Sequence, residues 1–430
     1  MSGHAAFYIG SLQIGGAEHV MVNLAEALFA RGWRITFVTT YIDEEEYEVP
    51  HGCWCLLREG EPADARRAVA ALTPGEKRVR VAFSEEVCAE AAEPGKLPGV
   101  PGTGRHIGRV FSGVATADAG GRGSAFLKRR ACLKRIWDDL QPDVILSFIG
   151  KNNLMALLTA GQRLPVLVSV RAVPELEYPG RMMRAAANAL FGRAAAVVVQ
   201  TPAAADFFPK RVREKAVVMP NAVSREFLTD ERGTGDPEGS TRISRKRDKT
   251  VVAVGRMDAN KRFDLLLRAF ARLREEEGFK EYQLLLYGDG EDRPDLERLA
   301  QSLGIGEKTG FMGRRQGIAG LIRNAGAYCL VSDTEGMPNT LIEAMCLGIP
   351  CVTTDCVPGG IGQLVRDGEN ALVIPAGDEE ALVAALRRVL RDETLAGHLS
   401  ENAVKIRERY DPDRVTDAWE ELLVKATEKR

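Results

Sequence analysis

Histidine is scarce in this chain, with five among 430 residues, and the five are too dispersed to gather round a metal. The eight cysteines are no better arranged. Cys53 and Cys55 flank Trp54, and Cys351 and Cys356 lie five apart, yet neither pair has a matching second pair or a nearby histidine at zinc spacing. Cys329, Cys346 and Cys351 sit in apolar runs and read as small core residues, reduced as in a cytosolic protein. No apolar run is long enough to span a bilayer; VILSFIG and LPVLVSV are strand-sized. The opening MSGHAAFYIG lacks a basic segment followed by an apolar core, so no signal peptide is expected. Neither sign of charge dominates: 58 Lys and Arg against 60 Asp and Glu leave a net charge of −2, which excludes a general affinity for nucleic acid.

What the chain does have is alternation. HAAFYIG, RITFVTTY, DVILSFIG, PVLVSVR, AAAVVVQ and KAVVMPN read as strands, with helical stretches such as GAEHVMVNLAEALFARG between them. The plan restarts at KTVVAVGR and runs through EYQLLLYGDG, KTGFMGR and AYCLVS to PCVTTD. This predicts an α/β protein of two doubly wound parallel-sheet halves facing a cleft. The expected boundaries are a first domain over 1–228, a flexible polar linker over 229–249 and a second domain over 250–410. A final helix is expected over 411–430, with Asp411 as its cap. Residues 58–125 are rich in Gly, Pro, Ala and charge, and read as an irregular insertion with a βα unit around RVRVAFS.

Chemistry concentrates at strand ends. SDTEGMPNTLIEAMCLGIP sets Glu335 and Glu343 eight residues apart. Glu335 falls in a loop, and Thr340–Leu347 reads as a helix with Pro338 or Asn339 at its start and Gly348 past its end. Free backbone N–H groups from Met337 to Leu341 and the positive helix end suit a phosphate, although acids near a helix start also suit the dipole unaided. VGRMDANKRFD places Gly255, Arg256 and Lys261 after a strand, either as a grip on a diphosphate or as solvated loop charges with Lys261 beside Asp264. Gly15 and Gly16 in IGSLQIGGAEHV form either an anion-binding turn or a plain tight turn; the dinucleotide fingerprint is absent. Gly288 and Gly290 let YGDGEDR turn sharply, and Asp289 caps the turn or touches a ligand. Arg171, Glu175 and Glu177 in SVRAVPELEY face the cleft or solvent. Basic clusters at Lys128, Arg129, Arg130, Lys134 and Arg135, at Arg181 and Arg184, and at Lys210, Arg211, Arg213 and Lys215 read as a membrane-facing surface or as ordinary solvated helices.

Together GGAEHVMVNLAEAL, VGRMDANKRFDLLLRAF and EGMPNTLIEAMCLGIP resemble glycosyltransferase family 4, the retaining enzymes of GT-B fold. The last segment resembles the family's paired-glutamate element. The resemblance implies that Arg256 and Lys261 hold the donor diphosphate without a metal or other cofactor, that backbone N–H groups near Met337 to Leu341 and at Gly15 and Gly16 share the load, and that Gly255, Gly288, Met337, Pro338, Asn339, Thr340 and Leu341 line the donor nucleotide and phosphate site. Glu335 would position the donor sugar and Glu343 the ribose. Attack is then on the front face, with the leaving phosphate helping to deprotonate the acceptor. The two acids are therefore not a glycosidase pair. Many relatives carry a histidine near the donor sugar at the strand end where Arg171 stands in this chain, and Arg171 is expected on the acceptor side. The run SDTEGMPNTLIEAMCLGIPCVTTDCVPGGIGQLV resembles enzymes of lipid-linked oligosaccharide, capsule and exopolysaccharide synthesis. That implies a UDP-sugar donor, a polyprenyl-diphosphate-linked glycan acceptor, and a cytoplasmic enzyme peripheral to the inner membrane face. A UDP-sugar epimerase of the same fold and a catalytically silent partner protein are the competing readings.

Overall fold

A computed structural model describes residues 3–13, 15–40, 47, 54–57, 80–81, 122–228, 247–356 and 361–428. Most of the insertion at 58–125 and of the linker at 229–249 lies outside them.

Two parallel sheets organise the chain. The first holds β1 (His4–Ile9), β2 (Arg34–Thr39), β3 (Trp54–Leu57), β4 (Arg80–Val81), β5 (Val144–Phe148), β6 (Val166–Ser169), β7 (Ala196–Val199) and β8 (Ala216–Val218), in spatial order β4-β3-β2-β1-β5-β6-β7-β8. The second holds β9 (Thr250–Val254), β10 (Gln283–Tyr287), β11 (Thr309–Gly313), β12 (Ala327–Leu330), β13 (Cys351–Thr354) and β14 (Leu372–Ile374), in order β11-β10-β9-β12-β13-β14. β3, β14 and the helices Glu379–Arg391 and Glu393–Ala403 were not singled out by the sequence pattern. β3 and β14 are only four and three residues long, too short for periodicity to mark them.

The central strands β1, β5, β6 and β7 are buried along their whole length and mostly apolar, because helices cover both sheet faces. Alternate side chains go to opposite cores: Ala6 and Tyr8 to one, Ala5, Phe7 and Ile9 to the other. In each sheet the strand order reverses once, between β1 and β5 and between β9 and β12. A crevice opens at the carboxyl ends of such a pair, where ligands bind in open α/β sheets.

After β8 the chain crosses over, and Val223 and Phe227 already pack in a core of the second half. It returns beside that crossing, where the Val223 N–H donates to the Tyr410 carbonyl at 3.0 Å. Helix Pro412–Glu428 then lies on the first half. Its N-terminus is closed by Asp411 Oδ1, which accepts from the Asp413 and Arg414 N–H groups at 3.0 Å each. Val415, Trp419, Leu423 and Ala426 recur at helical spacing and join the core behind β1 and β5. Trp419 lies 6.0 Å from Phe148, ring centre to ring centre.

Candidate active site

The two loops that leave β9 and β12 at the second switch point are stapled together. Asp258 caps the short turn Ala259–Lys261, taking the Lys261 N–H at 3.2 Å. From that turn the Asn260 side chain reaches across. Its Oδ1 accepts from the Thr334 N–H at 3.1 Å and the Thr334 hydroxyl at 2.6 Å, and its Nδ2 donates to the Thr334 carbonyl at 3.0 Å. Asn260 was missed in the sequence, where a loop asparagine carries no mark of what it will bind.

This staple brings Lys261 and Glu335 together. Lys261 Nζ lies 2.5 Å from Glu335 Oε1, which also accepts from Ser332 Oγ at 2.6 Å. The two side chains are 20% and 11% exposed, so the pair is shielded yet reachable. The Lys261 stem lies over Gly255; a Cβ there would come within 3.4 Å of Lys261 Cε, and the glycine leaves it room. Arg256 differs: it is 77% exposed and, among the described residues, its side chain holds only Asp258 Oδ2, at 2.9 Å from its Nε. Its guanidinium can leave that solvated contact for a stronger anion. Lys261 does not pair with Asp264, which goes to Arg262.

Gly288 has a backbone role. Its φ is +127°, and a Cβ there would collide with the Gly255 carbonyl. Gly290 packs equally close to the Met257 carbonyl. Asp289 accepts from the Gly290 N–H at 2.9 Å and pairs with Arg293 at 3.1 Å, the turn-capping role.

Helix Asn339–Cys346 follows, with Pro338 at its cap and Gly348 at φ +68° beyond it. The expected row of free N–H groups is shorter than anticipated. Pro338 has none, Asn339 donates to the Met337 carbonyl at 3.0 Å, and Leu341 donates to the Pro338 carbonyl at 3.1 Å. Met337 and Thr340 keep theirs unengaged among the described residues. The Leu341 side chain is core. Glu343, one turn in, is half-buried and pairs with no cation among the described residues. Burial pushes its carboxyl up to about 8, with the charge of Glu226 adding to the effect.

The first half meets this site directly. Asn221, just after β8, donates from Nδ2 to Asn339 Oδ1 at 2.5 Å. A Cβ on Gly16 would stand 3.5 Å from Asn339 Nδ2, and one on Gly336 3.4 Å from Ala172. Gly15 makes room for Glu18, whose Oε2 would be 2.5 Å from a Cβ there. Glu18 is buried with its carboxyl pushed up by desolvation. Next to it His19 stacks on Tyr47, ring centres 5.3 Å apart, and burial holds its imidazole neutral. The charges of Glu18 and Glu343 both push the Tyr47 hydroxyl up, after desolvation, so this cluster faces the second half. The sequence reading passed over Glu18 and His19, although they follow the Gly-Gly turn.

Arg171 requires a correction. It does not open to the cleft for an acceptor. It is buried, its guanidinium lies 4.9 Å above the Phe148 ring, and its Nη2 donates to Asn221 Oδ1. Glu177 is likewise structural: its carboxylate accepts from the Arg171, Ala172 and Gly150 N–H groups at 2.5, 2.6 and 3.0 Å. The strand end curls under itself here because an internal carboxylate satisfies the loop.

Two facing parallel-sheet domains, with a cation-and-carboxylate site at the second switch point, define a GT-B glycosyltransferase. The matches agree with that class: residues 15–222 match the glycosyl transferase 4-like domain and 240–406 match glycosyl transferases group 1. The chain is thus a glycosyltransferase that carries a glycosyl transferase 4-like domain followed by a glycosyl transferases group 1 domain. It is 26% identical over 299 residues to the Campylobacter jejuni GalNAc-alpha-(1->4)-GalNAc-alpha-(1->3)-diNAcBac-PP-undecaprenol alpha-1,4-N-acetyl-D-galactosaminyltransferase, covering 69% of this chain and 78% of that one. It is 30% identical over 174 residues to the lipopolysaccharide core biosynthesis glycosyltransferase LpsE of Rhizobium meliloti, 40% of this chain and 49% of that one. For several such curated relatives the match spans about half of their length. Among solved structures, HepE of Anabaena in complex with UDP-glucose superimposes with a TM-score of 0.64 at 17% identity, over 98% of this chain and 99% of that one. Sucrose-phosphate synthase of Thermosynechococcus elongatus gives 0.68 at 18% identity, over the full length of both. These structural likenesses concern the fold.

Proposed function

We propose that the chain is a retaining glycosyltransferase that moves a hexose or N-acetylhexosamine from a UDP-sugar to a lipid-linked glycan. The observation that carries this is the Lys261–Glu335 pair, flanked by exposed Arg256 and opened toward the first domain at Asn339. A donor diphosphate arriving here draws Lys261 off Glu335 and Arg256 off Asp258. The two cations neutralise the charge that builds on the leaving nucleotide. Glu335, released, takes donor-sugar hydroxyls, while Glu343 meets the ribose and the Met337 and Thr340 N–H groups share the phosphate. The leaving phosphate accepts the acceptor proton on the same face, so no enzymic nucleophile is needed. With two cations in place the reaction needs no metal.

In this reading the second domain binds the donor and the first the acceptor. UDP-glucose in HepE and the undecaprenol diphosphate in the name of the Campylobacter relative support both halves of it. No helix among the described residues is long and apolar enough to cross a membrane. The enzyme would meet its acceptor from the cytoplasmic side, as a peripheral protein.

Thermal shift and donor hydrolysis against UDP- and GDP-sugars, with and without EDTA, test the proposal. Stabilisation by one UDP-sugar, unchanged by EDTA, is expected. Silence toward every sugar nucleotide would overturn it.

A further inference from the structure

The first domain has a switch point of its own, between β1 and β5, and one cation sits over it. Arg129 comes from helix Arg122–Leu140 and reaches to the carboxyl ends of neighbouring strands. Its Nη2 donates to Tyr8 Oη at 2.6 Å, Asn152 Oδ1 at 2.8 Å and Thr40 Oγ1 at 3.0 Å. All three acceptors are neutral. Several other arginines have carboxylates: Arg262 has Asp264 and Asp333, Arg272 has Glu379 and Glu380, and Arg387 has Glu276, whereas buried Arg171 is, like Arg129, held by neutral groups. Arg129 has none among the described residues, and its Nε is buried without a partner. Nη1 also bonds none of the described residues but is not sealed in as Nε is. A half-buried guanidinium held by neutral oxygens has no counter-charge among them and has a donor to spare.

The edge it occupies is the one that meets the second domain, since the loop after β1 carries Gly16 to Asn339. Its flank is apolar. Leu127 and Phe126, on the same helix, are exposed, and Met182 on helix Gly180–Leu190 is 86% exposed. Helix Gly150–Thr159 packs between those two helices, so the exposed apolar groups share one layer with Arg129. A cation at a ligand-binding edge beside uncovered apolar side chains matches an amphiphile with an anionic head.

We propose that Arg129 binds a phosphate of a lipid-borne acceptor, with Phe126 and Leu127 against its apolar portion. This rests on the acceptor reading above and names the contact to its head. The test uses the full chain saturated with UDP, so that the donor phosphate site is filled. Inorganic pyrophosphate is titrated calorimetrically into wild type, Arg129→Gln and Arg129→Lys. Wild type is expected to bind it, Arg129→Gln at least tenfold more weakly, and Arg129→Lys in between. Equal affinity in wild type and Arg129→Gln overturns the proposal.

Kinetics separate a lipid head from free phosphate. With a lipid-diphosphate sugar as acceptor, Arg129→Gln raises KM tenfold or more; with a neutral alkyl glycoside of the same sugar, and in UDP affinity, it stays within twofold. Equal loss on both acceptors would mean that Arg129 only holds the sheet edge, and the proposal falls. Wild type failing to bind UDP would strike the donor reading instead, and the pyrophosphate comparison would still decide the Arg129 site.

Discussion

At the scale of single residues, the proposed site is built from charges with few partners among the described residues. Glu343 shows it in thermodynamic form. Its folded carboxyl titrates at about 8 against an ordinary 4.5, chiefly through burial. The folded state therefore holds the proton more tightly than the unfolded chain. The stabilising contribution is complete below pH 4.5 and is lost as pH rises to about 8. Glu343→Gln removes the titration, so its advantage in melting temperature should be absent near pH 4.5, grow through neutrality and level off above pH 8. The plateau should be several degrees, at about 2–4 °C per kcal/mol for a domain of this size. A difference that stays flat across that range would mean Glu343 does not titrate there. Lys261 and Glu335 give the catalytic counterpart. Lys261→Ala and Glu335→Ala should each lower kcat by about 100-fold or more while the melting temperature moves little. Near-normal turnover in either variant would remove that residue from the mechanism.

At the scale of elements, local geometry decides what can be read in advance. The strands leading into the site were legible because runs such as VVAV and VILSF are apolar on both faces. The placement of Gly255, Lys261 and Glu335 near strand ends was legible because each follows an apolar strand run. What stayed hidden depends on partners distant in sequence. Asn260 meets Thr334 across 74 residues, and Arg171 is drawn inward by Asn221 across 50. Arg171 was misplaced because a strand-end arginine looks exposed until its stacking ring and amide are known. Gly288 read as a turn glycine, but its constraint is the Gly255 carbonyl of the neighbouring strand end. Gly288→Ala should therefore cost about 3 kcal/mol or more and abolish soluble expression or lower the melting temperature sharply. Unchanged stability would show that the two strand ends can part. The C-terminal helix is the other decisive element. Trp419→Ala empties a fully buried indole site against Phe148 and should cost about 3–5 kcal/mol. Because that site lies in the first domain's core, calorimetry should show the loss in the transition UDP does not shift. An equal shift of all transitions would mean the domains unfold as one.

At the scale of the whole molecule, the chain crosses between domains at 221–228 and again near 410–412, side by side. Paired crossings of this kind let domains pivot while staying in register. One contact across the approach is Asn221 to Asn339, beside Gly16 against Asn339 and Gly336 against Ala172. Asn221 Oδ1 is already committed, accepting from Arg171 and from Gln200 Nε2 at 3.2 Å, so its amide points the Nδ2 donor at helix Asn339–Cys346. The first domain thereby registers on the helix end that we propose faces the donor phosphate. Asn221→Asp keeps an acceptor for Arg171 and Gln200 but sets a carboxylate against Asn339 Oδ1. It should melt near wild type and bind UDP within about twofold, yet lose about tenfold in kcat/KM for the acceptor, as a pair worth about 1–2 kcal/mol requires. Asn339→Ala should cost a similar factor. In the double variant the losses should fall well short of additive, because each change removes the same contact. Fully additive losses would mean the two amides act separately, and the register between domains would then have to be held by the apolar packing around the crossings alone.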